Sequence, residues 1–335
     1  MTKGVLQKKT CDVLALGEIL IDFTPCGNNE NRMPLYECNP GGAPANLLTC
    51  VSRMGGKTAM IGKVGSDYFG DFLRMTLQGN NVSCEGLRVD PKTHTTLAFV
   101  SLNEHGDRSF SFCRGPGADC NLIPGEVEEA MIAQSRLFHF GSISLTDEPA
   151  RSATQFAIDL ARQNGLIISF DPNYRASLWE SPFAARGQIV KHLCDCDILK
   201  VSEEEFELLT GAQEFERDSA LLMRKYGITL LLITLGPKGA CYRFGEEFGR
   251  VPTYDVKVVD TTGAGDAFMG GILSKMARME KKDILHLKKE DIESIVAFGN
   301  ACGSLTAGAR GGIPAIPTRE AVEECIARAS ILMER

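Results

Sequence analysis

Asp260 and Asp266 bracket the run D-T-T-G-A-G-D, which leads into the apolar, small-residue stretch A-F-M-G-G-I-L-S-K-M. Gly263, Ala264 and Gly265 are small enough to turn tightly at a helix start, where several amide N–H groups have no intrahelical acceptor. Those donors, together with the positive end of the helix dipole, hold an anion such as a phosphate. Glycine lets that anion come close to the backbone. A carboxylate at Asp266 stands beside such a hole without being part of it. There it can take the proton from an attacking hydroxyl as a phosphoryl group is transferred. The same spacing also fits an aspartate that only caps the helix through its side chain. Sequence spacing leaves both roles open.

A second phosphate-loop candidate fails. Gly55 to Thr58 reads G-G-K-T, the end of a Walker loop, but that loop needs a first glycine where Val51 stands. The residues that follow read as a strand, so Gly55 or Gly56 is expected to end a helix instead. The acidic run S-E-E-E, Ser202 to Glu205, suits a solvated helix start favoured by the dipole. D-P-N at Asp171 to Asn173 suits a turn at a strand end. Arg114 and Arg175 either lie on the surface or, beside a pocket, bind sugar oxygens or a carboxylate in bidentate fashion.

Short apolar runs alternate with helical patterns, the mark of β-α-β units and a largely parallel sheet. Strand-like runs start at Val13, Ala59, Leu137, Leu166, Asp197 and Leu230, and Tyr254 opens a further β-rich stretch, Y-D-V-K-V-V. Helices are expected over residues 45–54, 68–78, 150–163, 184–193, 203–209 and 216–225, then over 266–278, 291–308 and 318–333. Residues 96–114 break this pattern and read as a hairpin whose polar turn contains Gly106 and Asp107. The stretch from Ile19 to Glu37 offers further strands beside it. Such a small sheet either projects as a lid or is a decorative insertion.

The chain has 335 residues, with 44% hydrophobic and 24% charged side chains, enough for a substantial core. At about 150 residues per domain, one large domain with an appendage and two medium domains both fit. There are 36 basic against 43 acidic side chains, a formal net charge of −7, so no global basic field draws the chain to nucleic acid. No stretch approaches the roughly 20 apolar residues of a membrane span. The first ten residues lack the apolar core of a signal peptide. Twelve cysteines are scattered along the chain, and Cys194 and Cys196 do not have the spacing of a zinc knuckle. A reduced, cytoplasmic protein is expected.

Two stretches carry a family resemblance. D-T-T-G-A-G-D-A-F-M-G-G-I-L, Asp260 to Leu273, resembles the C-terminal signature of the ribokinase-type (PfkB) carbohydrate kinases, and G-G-A-P-A-N, Gly41 to Asn46, resembles their N-terminal one. The resemblance runs from Leu16 to Gly311. It implies a single α/β domain over residues 1–335, a three-layer α/β/α ribokinase-like fold. A central, mostly parallel sheet would carry a small β lid built from residues 19–38 and 96–114. It implies Asp266 as general base, with the N–H groups of Gly263, Ala264, Gly265 and Asp266 as the anion hole. Asp22, Gly41, Gly42 and Asn46 would hold sugar hydroxyls. On the nucleotide side it implies Lys200, the loop T-L-G-P-K-G with Thr234, Gly236 and Gly239, and Asn300 near the adenine. Ser202 replaces the asparagine of the family's N-x-x-E motif, leaving Glu205 to act on Mg²⁺ through water. Asp260 and Thr262 match part of a potassium site.

Within the family the runs G-E-I-L-I-D-F, L-F-H-F-G-S-I-S-L, D-P-N-Y-R and L-K-V-S-E-E-E look most like fructokinases. The expected reaction is ATP-dependent phosphorylation of D-fructose at O6. A 2-keto-3-deoxygluconate kinase is the rival; there tyrosines usually accompany the lid arginine, whereas here Phe112 and Cys113 precede Arg114. A silent sugar or nucleotide sensor is the reading from another class, opposed by the intact G-A-G-D run. A nicotinamide dehydrogenase lacks a G-x-G-x-x-G after the first strand. An exposed lid with an apolar face suits a homodimer.

Overall fold

The computed structural model describes residues 9–102, 108–212 and 214–328, and folds the apolar runs into two sheets. The strands are β1 (Cys11–Leu16), β2 (Leu20–Asn28), β3 (Pro34–Gly41), β4 (Thr58–Gly65), β5 (Val82–Asp90), β6 (Leu97–Leu102) and β7 (Arg108–Cys113). They continue as β8 (Ser135–Gly141), β9 (Ile167–Asp171), β10 (Ile198–Ser202), β11 (Leu230–Thr234), β12 (Ala240–Phe244) and β13 (Glu247–Val251). The helices are α1 (Ala43–Arg53), α2 (Tyr68–Gly79), α3 (Glu129–Ala133), α4 (Ala150–Gln163), α5 (Pro182–His192) and α6 (Glu203–Thr210). Then come α7 (Phe215–Tyr226), α8 (Ala264–Met276), α9 (Lys281–Ile284), α10 (Lys289–Ala307) and α11 (Arg319–Arg328).

The large sheet runs β13-β12-β11-β10-β9-β8-β1-β4-β5, parallel except that β12 runs antiparallel to both β11 and β13. Its central strands are apolar on both faces, as a covered parallel sheet requires. Val13, Ala15, Leu230 and Leu232 join a core with residues of α1, α8 and α10, among them Leu48, Ile272 and Val296. Leu14, Leu16, Leu231 and Ile233 join the opposite core with residues of α4, α5 and α6, among them Ala157, Ile189 and Phe206. The result is the expected three-layer α/β/α architecture. Among the described residues no helix is long and apolar enough to cross a membrane.

The small sheet runs β3-β2-β6-β7. It combines the expected hairpin with β2 and β3, which reach Gly41, and β2 pairs in parallel with β6. Phe23 of β2 stacks on Phe99 at 5.0 Å and meets Phe69 of α2 edge-on at 5.8 Å, anchoring the sheet to the large unit. The turn at Gly106 and Asp107 lies outside the described residues. Two expectations need correction. Sequence reading omits β5, β12 and β13. The stretch from Tyr254 is not a strand, since only Tyr254 makes a bridge. The last helix spans Arg319–Arg328, and the rest of the expected helix, 329–333, lies outside the described residues. The rejected Walker loop is a Schellman helix end, as expected: Gly55 has φ +88, Gly55 N donates to Ser52 O and Gly56 N to Val51 O.

Candidate active site

In the large sheet, β4 and β5 lie beyond β1 on one side and β9 to β11 beyond β8 on the other. The strand order therefore switches between β1 and β8, and open α/β sheets bind ligands outside the carboxyl ends of strands at such a point. A cavity of about 320 Å³ lies there, lined by Glu18 after β1, Ile143 after β8, Lys200 of β10 and the start of α8.

Asp266 is in the first turn of α8, yet it does not cap the helix. Gly263 holds the N-cap position at φ +77, and no side chain caps it. Instead Asp266 Oδ2 accepts a hydrogen bond from Asn46 Nδ2 at 2.8 Å, and Oδ1 accepts one from Asn173 Nδ2 at 2.9 Å. The carboxylate is buried, and burial pushes its pKa above the usual aspartate range. Asn46, Lys200, Arg175 and Asn173 pull in the opposite direction. A buried, hydrogen-bonded carboxylate with raised basicity suits proton abstraction, and the capping role is set aside.

The candidate anion site is narrower than the sequence suggests. Gly265 and Asp266 lie in the first turn and have no intrahelical acceptor for their N–H groups. Ala264 N, by contrast, donates to Thr261 O at 3.2 Å, so that donor is engaged. Asp260 stiffens the approach: its Oδ1 accepts from Thr262 N at 2.7 Å and its Oδ2 from Gly311 N at 3.2 Å. A Cβ on Gly265 would stand 3.2 Å from Lys200 Nζ, so glycine at this position leaves the ammonium beside the hole.

Lys200 Nζ pairs with Asp171 Oδ2 at 2.9 Å, and both side chains are buried. Burial works against the Lys200 charge, but Asp171 and Glu205 outweigh it and the pKa is raised. Burial likewise raises Asp171 and Glu205, with Lys200 opposing it in both. Glu205 Oε2 accepts from Ser202 N at 2.7 Å and Ser202 Oγ accepts from Glu205 N at 3.1 Å, a capping box on α6. Its Oε1 accepts from Tyr174 N at 2.6 Å, which ties α6 to the loop after β9.

The sequence profile of the pfkB family carbohydrate kinases matches residues 11–319. The chain belongs to that family. It is 42% identical to fructokinase-1 of Zea mays over 319 residues, covering 95% of this chain and 98% of that one. Among solved structures, it matches a fructokinase with bound ATP from Xylella fastidiosa with TM-score 0.87 and 31% identity, covering 94% of this chain and 98% of the other. It also matches a fructokinase double mutant from Vibrio cholerae O395 in a fructose, ADP and potassium ion bound form, with TM-score 0.83 and 33% identity. That match covers 93% of this chain and 97% of the other.

Of the residues expected to hold the sugar in this pfkB kinase, Asp22, Gly42, Asn46 and Arg175 line the cavity. Gly41 does not; the Asp22 carboxylate lies in the space a Cβ there would need. Arg114 is the correction. It lies outside the cavity and serves as a staple: Nε donates to Asp119 at 2.7 Å, Nη1 to Thr146 at 2.8 Å and Asp147 at 3.2 Å, and Nη2 to Ile143 O at 3.0 Å. On the nucleotide side Lys200 lines the cavity, whereas Ser202, Glu205, Thr234, Gly236, Gly239 and Asn300 do not. Asn300 Nδ2 donates to Val251 O and Pro252 O, joining α10 to the end of β13. Thr234 Oγ1 donates to Val201 O at 3.4 Å.

Sequence reasoning missed Glu18 and the contact of Asn173 with Asp266. Glu18 Oε1 accepts from Ala43 N at 2.9 Å at the start of α1. Burial is the main cause that pushes its pKa up to about 7, and Asp119 adds to it. The ordinary glutamate value is about 4.3, so the folded state holds this proton more tightly than the unfolded one. Stability from this group is therefore complete below the ordinary value and lost as pH rises through about 7. Glu18→Gln keeps an acceptor for Ala43 and removes the ionisation. Its melting temperature should exceed that of the unsubstituted protein at pH 8.5, by the equivalent of about 1–3 kcal/mol. The gap should narrow towards pH 5 and close below the ordinary glutamate value, and a gap that widens towards pH 5 would contradict this assignment.

Proposed function

We propose that this kinase transfers the γ-phosphoryl group of ATP to O6 of D-fructose, with Asp266 as the general base. Residues 1–335 act as one catalytic domain, and the small sheet is its lid. The observation that carries the reading is the buried Asp266 carboxylate, held by two amides within a cavity that also contains the open first turn of α8. Asp22, Gly42 and Asn46 orient the sugar, and Asp266 removes the proton of the 6-hydroxyl as that oxygen attacks phosphorus. The amides of Gly265 and Asp266 and the Lys200 ammonium face the charge that builds on the transferred group. Closure of the lid keeps water from competing with the sugar. Thr234, Gly236, Gly239 and Asn300 belong to the nucleotide side.

Among the described residues no three His, Cys, Asp or Glu side chains converge on a metal position. Both Glu205 oxygens already accept backbone N–H groups, leaving one lone pair each for a metal-bound water. Mg²⁺ would be held mainly by the nucleotide's phosphates and water, with Glu205 reaching it through a water, and would supply charge neutralisation there. Asp260 and Thr262 form part of a potassium site, a reading supported by the potassium ion in the Vibrio cholerae structure.

Fructose is favoured over an acid sugar by the fructokinase relatives, and Arg114 is engaged by Asp119 and Asp147, although Arg175 stays in the cavity. The enzyme is read as cytoplasmic. It is also read as a homodimer through the small sheet, whose edge strand β3 exposes Leu35 and Tyr36, which sedimentation velocity tests directly. The deciding experiment is a coupled kinase assay over fructose, 2-keto-3-deoxygluconate, ribose, tagatose and adenosine, in potassium and in tetramethylammonium buffers. Fructose should give the highest kcat/KM, and potassium should raise it. A preference for 2-keto-3-deoxygluconate overturns the substrate, equal rates in both buffers remove the potassium site, and silence on all five substrates favours a sensor.

A further inference from the structure

Asp266 receives its second hydrogen bond from a residue that neither sequence signature contains. Asn46 approaches Oδ2 from α1, and Asn173 approaches Oδ1 from the loop after β9, so the two oxygens are held from separate elements. Asn173 is buried and sits at φ +46, in the left-handed region that costs a side-chain-bearing residue energy and that asparagine tolerates best. Its turn is fixed on both sides. Asn173 N donates to Asp171 Oδ1 at 3.1 Å, and Tyr174 N donates to Glu205 Oε1 at 2.6 Å. A strained residue persists where its surroundings over-determine it, and such residues gather at functional sites.

We infer that Asn173 is a positioning residue for phosphoryl transfer, whose amide fixes the plane of the Asp266 carboxylate and favours its ionised form. The inference rests on the reading of Asp266 as the base. The charged groups facing Asp266 are Lys200 on β10, Asp171 at the end of β9 and Arg175 in the loop that follows. Glu205 of α6 acts on Lys200 and Asp171, α1 presents the uncharged Asn46, and Glu18 lines the same cavity. Removing a donor to the ionised carboxylate raises its pKa, and a base must be ionised to accept a proton. The acidic limb of the rate profile therefore moves to higher pH.

Two substitutions separate the amide from the turn. Asn173→Gly keeps access to positive φ and lacks the amide, whereas Asn173→Asp keeps the size and the turn but faces Asp266 with a second carboxylate. The measurement is kcat/KM for fructose from pH 5.5 to 9, with kcat and KM resolved at each pH. Asn173→Gly should shift the acidic limb upward by about one pH unit, as expected for a lost hydrogen bond to a charged group. Asn173→Asp should shift it further, and both should regain most of their activity near pH 9 with KM changed less than about threefold. Unshifted limbs in both variants, or a fall that is equal at every pH, overturn the proposal. Asp266→Asn is assayed alongside: near-normal turnover there sinks the base reading itself, while lost turnover there with unshifted Asn173 profiles sinks only the positioning role.

Discussion

Asp266→Asn should fold normally and turn over about 10²–10⁴ times more slowly than the unsubstituted kinase. The substitution keeps the side chain's shape but leaves a neutral amide with no basicity at the point where, on the proposed mechanism, the 6-hydroxyl loses its proton. Its NH₂ would meet the NH₂ group of either Asn46 or Asn173. Asn46 resolves the clash, because its Oδ1 is buried and has no partner in the present arrangement. A flip of the Asn46 amide turns that oxygen towards the new donor, so the packing survives. Stability should also hold. The Asp266 pKa is raised in the folded state, so its ionisation near neutral pH opposes folding, and the amide removes that opposition. Steady-state kinetics together with a thermal melt check both halves, and turnover within a few-fold of normal refutes the role of Asp266.

Lys200→Met should damage stability and turnover together. The ammonium is the cation of a buried cluster whose acidic members are Asp171, Glu205 and Asp266. Removing one partner from a buried pair leaves uncompensated charge, at a cost of about 3–5 kcal/mol. The pH dependence follows from the raised pKa of each group. Lys200 contributes fully below its ordinary value of about 10.4, so its absence is felt throughout the neutral range. Asp171 and Glu205 already sit above the ordinary carboxylate range, and without Lys200 they rise further. The destabilisation should therefore grow from pH 5 to pH 8. Turnover should fall by about 10²–10³, the usual effect of losing one preorganised group at a developing negative charge. Adding Asp171→Asn should recover much of the stability and little of the turnover. Urea unfolding at the two pH values tests this, and a loss below about 1 kcal/mol at pH 8 contradicts it.

The parallel core was readable because its strands are continuous apolar runs, and α4 occupies the expected residues 150–163. Strand β5 escaped because V-S-C-E-G-L-R-V-D mixes polar residues and glycine with its apolar ones, so pairing with β4 rather than local pattern makes it a strand. The hairpin of β12 and β13 did carry a local signal, the turn at Gly245 and Glu246 between two short runs. The stretch after Tyr254 has the right alternation but no neighbouring strand beyond one bridge. In the site, Asp266 and Asn46 were visible because each lies in a compact local signature. Asn173 showed only its turn, since Asp266, its hydrogen-bond partner, is remote in sequence. Arg114 was visible as a charge, but its consumption by Asp119, Thr146 and Asp147 arises from loops that only the fold brings together.

The junction between the two sheets has a mechanical meaning. Strand β3 ends at Gly41 and α1 begins at Ala43, so Gly42 alone joins the small sheet to the helix that carries Asn46. Gly42 stands at φ +107, and a Cβ there would collide with the backbone of Glu18 and Ile19, so the link is short and tightly seated. A tilt of the small sheet is thus a torque on the first turn of α1. The Asn46 amide is the end of that lever, and Asp266 is the load. That load is already held, 2.8 Å from the Asn46 amide, so one short link ties the seating of the small sheet to the alignment of the carboxylate.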